Sequence, residues 1–205
     1  MYIMRYLVIV ITLLLSLRTD LYANEDAEAI VQRVLAAMED CNPYKVEIEV
    51  NYAGSSIAGY YEVDNLNYYI SIDHQELYGD PTVKYEVFNS RREVIIDSVS
   101  PTFDGNLLNN PATAFASIKN HYSASLISNV NGFTTLELRP HSTDDNSMET
   151  IILTVLNSTM LPNSITYQFG ADEVVIKVLD ISRLASGITL YDSSKYTDYE
   201  IIDFR

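Results

Sequence analysis

From residue 44 onward the chain alternates. Tyr44, Val46, Ile48, Val50 and Tyr52 are apolar or aromatic, and Lys45, Glu47, Glu49 and Asn51 between them are polar. A period of two puts the two sets on opposite faces, which predicts a half-buried strand over 44–52. The segment before it keeps another period. Ile30, Val31, Val34, Leu35 and Met38 recur at helical spacing, with Glu28, Gln32, Arg33 and Glu39 off the stripe. Residues 25–40 therefore read as an amphipathic helix. Asn24 is placed to cap it, Glu25 and Asp26 suit the positive end of its dipole, and Asn42-Pro43 stops it.

Strand after strand follows. Gly54-Ser55-Ser56 reads as a turn, Ile57 to Val63 as a strand, Asp64-Asn65 as a tight turn and Leu66 to Ile72 as a strand. The polar stretch His74 to Pro81 reads as a connection, then Val83–Phe88 and Glu93–Asp97 as strands around the turn Asn89-Ser90-Arg91-Arg92. Further strands are expected near 121–128, 133–139, 148–156, 164–169, 174–180 and 199–204, with Asn131-Gly132, Asn157-Ser158 and Gly170-Ala171-Asp172 as turns. The exception is 98–119. There Asn110 precedes Pro111, a capping side chain and then a ring that needs no N–H donor, so Pro111 to Lys119 is a second helix with Ala112, Phe115 and Ile118 to one side. The sum is an α+β domain. Ten or eleven short strands form one large antiparallel sheet, a single meander curved or closed over its apolar face, with an N-terminal helix and a mid-chain helix to cover it.

The first residues set the compartment. Arg5, an apolar run from Leu7 to Leu17 and the ending Leu21-Tyr22-Ala23 have the layout of a signal peptide, so 1–23 is read as a cleaved leader and 24–205 as a single domain. The alternative is an uncleaved anchor. Eleven helical residues span roughly 17 Å, short of the ~30 Å hydrocarbon core, and Arg18 and Asp20 close the run. The single cysteine, Cys41, excludes an internal disulfide framework, and export without disulfides fits a bacterial periplasm. Asn157-Ser158-Thr159 is then a polar turn, not a glycan acceptor.

Charge narrows the partners. Thirteen Lys+Arg against 28 Asp+Glu give −15, which argues against nucleic acid and against electrostatic adhesion to an anionic membrane.

Candidate chemistry is thin. His74, His121 and His141 belong to no metal-binding pattern, and neither a nucleophile elbow nor a phosphate loop occurs. Asp144-Asp145-Asn146 reads as a solvated loop, and Cys41 as a buried or half-buried thiol. No catalytic residue, metal site or cofactor is expected, and the protein is not read as an enzyme. A large sheet with one apolar face and only two helices to cover it predicts an incompletely filled cavity for acyl chains or another hydrophobic ligand. Val46, Ile48 and Val50 share one strand face, with Tyr61, Tyr68 and Ile70 as its continuation and Leu107, Leu108 and Phe115 as lid contacts. The alternative is a secreted β-sandwich, structural or adhesive, in which these residues fill a core.

The order of these pieces resembles the LolA-type outer-membrane lipoprotein carriers, in their divergent LolA-like branch. The residues that carry the resemblance are the helix ending near Cys41, the strands Tyr44–Tyr52 and Gly59-Tyr-Tyr-Glu-Val63, Tyr85-Glu-Val-Phe-Asn89, Asn109-Asn-Pro111, Leu161-Pro162 before Ile165 and Tyr167, and the ending Tyr199-Glu-Ile-Ile-Asp-Phe-Arg205. The resemblance implies a half-open barrel with a helical lid that accepts lipoprotein acyl chains from an inner-membrane release complex and gives them to an outer-membrane acceptor, acting as a monomer. Family members carry a basic latch on an early strand. Here nothing between Lys45 and Lys84 is Lys or Arg.

Overall fold

The computed structural model describes residues 27–99, 106–141 and 149–205. The expected leader, the cap at Asn24 and the Asp144-Asp145-Asn146 loop lie outside the described residues. Helix α1 occupies 27–41. A first meander follows: β1 (Tyr44–Tyr52), β2 (Ser55–Asp64), β3 (Asn67–Ile72), β4 (Gln75–Gly79), β5 (Val83–Phe88) and β6 (Glu93–Ser98). Helix α2 (Pro111–His121) leads into a second meander of β7 (Tyr122–Val130), β8 (Phe133–Pro140), β9 (Thr150–Leu156), β10 (Pro162–Phe169) and β11 (Asp172–Arg183). Strand β11 pairs antiparallel with β1, which welds the two meanders into one sheet. After a 3-10 turn at Ser193–Tyr196, β12 (Glu200–Asp203) pairs parallel with β6. The strand order is β12-β6-β5-β4-β3-β2-β1-β11-β10-β9-β8-β7, a twelve-stranded sheet whose two ends do not join. The architecture is an α+β half-barrel, open along one side.

Local sequence explains the elements. Asn110 caps α2 by accepting from the Thr113 N–H at 3.3 Å, and Pro111 fills the first helical turn. Asn131 and Gly132 both have positive φ, as a two-residue hairpin turn requires. Gly79 is needed for a different reason: a Cβ there would lie 2.1 Å from the Tyr68 ring, which rests across it.

Three expectations need correction. His74 to Pro81 is not a connection, because 75–79 forms β4; the alternation is masked there, since Leu77 packs inward and Tyr78 outward. The last strand does not extend the meander but returns to the far edge, parallel to β6. His121 closes α2 instead of opening a strand. The expectation of one apolar face was also incomplete: the sheet carries a core on each side.

On the concave side, Ala27, Ile30, Val31, Val34 and Met38 of α1 and Ala114, Phe115 and Ile118 of α2 are buried against inward residues from β1–β3 and β7–β11. On the convex side of β3–β6, Tyr69, Tyr78, Val87, Val94 and Ile96 are buried under Tyr196 of the C-terminal segment.

Candidate functional site

The register of the sheet brings the sequence-derived residues to one surface. Val46 pairs with Tyr61, Tyr61 with Ile70, and Val63 with Tyr68, so all of these stand on the concave face. Val46, Ile48, Tyr61, Tyr68, Ile70, Leu107 and Phe115 are buried in the concave core. Val50 and Leu108 are half-buried and pack against its edge. Leu107 enters the core from the lead-in to α2, and its backbone N–H donates to the Tyr167 hydroxyl at 2.9 Å.

Two clefts flank this plug. The larger, about 430 Å³, opens between the C-terminal half of α1 (Leu35, Met38), the first turns of α2 (Pro111, Ala112, Phe115) and the β2–β3 turn at Leu66. The smaller, about 300 Å³, lies over β3–β5 and is bordered by Ile70, Leu77, Phe88 and Leu108. Of the nine candidates, Phe115 borders the first cleft and Ile70 and Leu108 the second.

The larger cleft is apolar inside and polar at its lip. Asn42 and Asn65 clasp one another there: the Asn65 N–H donates to Asn42 Oδ1 at 3.0 Å, and Asn42 Nδ2 donates to Asn65 Oδ1 at 3.4 Å. Elsewhere α1 is fastened by Glu28, whose carboxylate accepts from the Ala124 N–H at 2.8 Å, and by Arg183, which donates to the Asp40 carbonyl. These contacts tie α1 to β7 and to the end of β11. Tyr44 and Tyr61 meet edge to face with centroids 6.4 Å apart, and burial pushes both phenols well above their ordinary value, so they stay neutral.

The groups with reactive side chains are dispersed. Among the described residues, Cys41 ends α1 half-buried, His74 sits in the β3–β4 turn, and the His141 backbone N–H donates to the His121 backbone carbonyl at 2.8 Å. Among the described residues, no three His, Cys, Asp or Glu are grouped as a metal site requires. What the arrangement offers is enclosure of apolar matter.

Sequence reasoning missed Leu35, Met38, Leu66, Pro111 and Ala112 as cleft residues. Leu35 and Met38 lay on the helical stripe, and Leu66, an apolar residue in a tight turn, was the one local signal.

No family model and no curated protein matches the sequence. Solved structures do. An uncharacterized conserved protein from Thermus thermophilus is similar at 9% identity and TM-score 0.55, over 85% of this chain and 97% of that one. Structures that resemble it less well include a LolA superfamily protein from Nitrosomonas europaea (12% identity, TM-score 0.40, 83% and 97% covered) and a domain from Vibrio parahaemolyticus assigned to outer membrane lipoprotein sorting (10%, 0.43, 85% and 97%). At these identities the likeness is one of fold.

Proposed function

We propose that the protein is an extracytoplasmic carrier that shelters the acyl chains of lipoproteins between α1, α2 and the concave sheet. The observation that carries this reading is the cleft of about 430 Å³, apolar within, roofed by two helices and left open by a sheet that does not close. Its size falls in the range of small-ligand pockets of about 300–1,000 Å³. Burial contributes about 0.8 kcal/mol per CH₂, so a site enclosing several whole chains would release them very slowly. A cleft of this size covers part of such a cargo, which suits transfer.

On this reading residues 1–23 are a cleaved export signal, 24–205 work as one domain in the periplasm, Phe115 lines the larger cleft, Ile70 and Leu108 line the smaller, and Val46, Ile48, Val50, Tyr61, Tyr68 and Leu107 form the apolar core beneath them. An inner-membrane release complex loads the cargo and an outer-membrane acceptor takes it. A β-sandwich would have two sheets closed on a filled core, whereas the single open sheet favours the carrier. Mass spectrometry of lipids extracted from the protein isolated from its own envelope fraction tests the proposal. Co-purifying acylated molecules in proportion to protein are expected, and their absence would sink it.

A further inference from the structure

At one end of the half-barrel the concave face runs out into solvent. Four neighbouring strands, β2, β1, β11 and β10, carry Ile57, Tyr52, Val174 and Phe169 there. The register aligns them: Tyr52 pairs with Val174, Tyr167 with Val174, and Val50 with Ile57. Val50 and Val174 are half-buried against the core, while Tyr52, Ile57 and Phe169 are 52%, 40% and 41% exposed. A row of large apolar side chains across adjacent strands, continuous with the interior, marks an interaction surface and not scattered exposure.

The charge pattern says what kind. The chain is at −15, yet no Asp, Glu, Lys or Arg occurs from Val50 to Tyr61 or from Thr150 to Ala171. Those stretches hold the β1–β2 and β10–β11 hairpin tips. The β3–β4 and β5–β6 turns at the same end carry Asp73-His74 and Arg91-Arg92. The neutral tips also stand clear of the molecule, since a Cβ on Gly54 or Gly170 would meet nothing within 4 Å. Asp172 and Glu173 come immediately after the second tip.

We propose that this rim is a docking surface for an electroneutral lipid bilayer, into which Tyr52, Ile57 and Phe169 dip at the headgroup level. Aromatic and aliphatic residues at the strand ends beside uncharged hairpin tips suit that layer. The net charge, with Asp172 and Glu173 beside Phe169, sets the preference: zwitterionic headgroups are tolerated and anionic ones repel. A second copy is disfavoured on the same ground, because it would bring both sets of carboxylates together. The inference extends the carrier reading but rests on the rim alone.

Flotation of the protein, as purified from the soluble fraction of its host, with phosphatidylcholine vesicles tests it. The wild type should float. Y52S/F169S should partition about tenfold less or weaker still, whereas L190S, an exposed leucine (69%) in the segment that follows Thr189 on the convex face, should float like the wild type. Replacing part of the phosphatidylcholine with phosphatidylglycerol should weaken binding, and added salt should restore it. Thermal melts check that the double variant folds, and I57S alone serves if it does not. Failure of the wild type to float, unaltered flotation of a folded rim variant, or a wild-type dimer that the rim substitutions dissociate would each overturn the proposal. Titration of the same samples with a fluorescent fatty acid reports on the cleft separately, so vesicle binding without probe binding refutes the carrier reading and leaves the rim standing.

Discussion

The two faces of the sheet are packed by different rules. The concave face is largely aliphatic: Val46, Ile48, Ile70, Leu136, Leu138, Ile151 and Leu153 share an apolar core with the stripes of α1 and α2, hydrogen bonds fasten it at its edges, and clefts remain at the margins. The convex face of β3–β6 is aromatic and pinned. Tyr191 stacks on Tyr85 at 4.0 Å and on Tyr196 at 5.5 Å. At the centre, Glu76 accepts from the Tyr69 hydroxyl at 2.7 Å, Tyr196 at 3.0 Å, Asn89 at 3.2 Å and Tyr78 at 3.3 Å, and Tyr199 donates to Asn89 at 2.8 Å. Hydrogen bonds fix a geometry, whereas dispersion and burial accept any apolar occupant of suitable volume. The convex side therefore stiffens the sheet and holds the C-terminal segment, and the concave side keeps the freedom to exchange what lies in it.

The largest expected effect breaks the concave core at its plug. Leu107→Glu places a charge where the side chain is buried, and should cost about 3–5 kcal/mol of stability by chemical denaturation. Next comes the convex network. Glu76→Ala strips the common acceptor from three hydroxyls and an amide, and should cost about 2–4 kcal/mol of stability by chemical denaturation.

Acid should act on the same group. Burial pushes the Glu76 carboxyl up, but the hydrogen bonds from Tyr69, Asn89, Tyr196 and Tyr78 outweigh it and hold the carboxyl below its ordinary 4.5. The unfolded chain thus takes up that proton at higher pH than the fold does. The stabilisation is complete above about pH 4.5 and drains away as pH falls through the folded value. Melting temperatures of the wild type should fall more steeply from about pH 6 to about pH 3 than those of Glu76→Gln. Equal slopes would place the acid sensitivity elsewhere.

Smaller effects on stability separate the margin from the plug. Leu108 is half-buried at the smaller cleft, so the charge in Leu108→Glu stays hydrated. Its melt should shift little, whereas binding of a fluorescent fatty acid should weaken. A collapsed melting temperature with full binding in the folded fraction would show a packed core there. Cys41→Ser should alter neither stability by more than about 1 kcal/mol nor binding, since the thiol is half-buried at a helix end.

Much of the concave face was legible because its residues obey single periods. The stripe of α1, the alternation of β1 and the Asn110-Pro111 start of α2 each state their own element. The convex core was not legible. Tyr69 and Tyr78 alternate with residues that are themselves apolar or Gly, so no polar face announces itself, and their partners Tyr191 and Tyr196 are more than a hundred residues away in sequence. Strand β4 was hidden for the same reason. The cleft depends on how α1 crosses the β2–β3 turn, a tertiary placement that Leu35 and Leu66 only hint at.

The central claim is that the cleft between α1 and α2 holds an acyl chain, and filling it is the direct test. Ala112 lines the cleft in the first turn of α2, half-buried and facing Leu35, Met38 and Leu66 across it. Titration of Ala112→Phe with a fluorescent fatty acid should show affinity reduced about tenfold or more, with the melting temperature kept or raised as the ring occupies the space. Undiminished affinity in a variant that melts like the wild type would contradict the account.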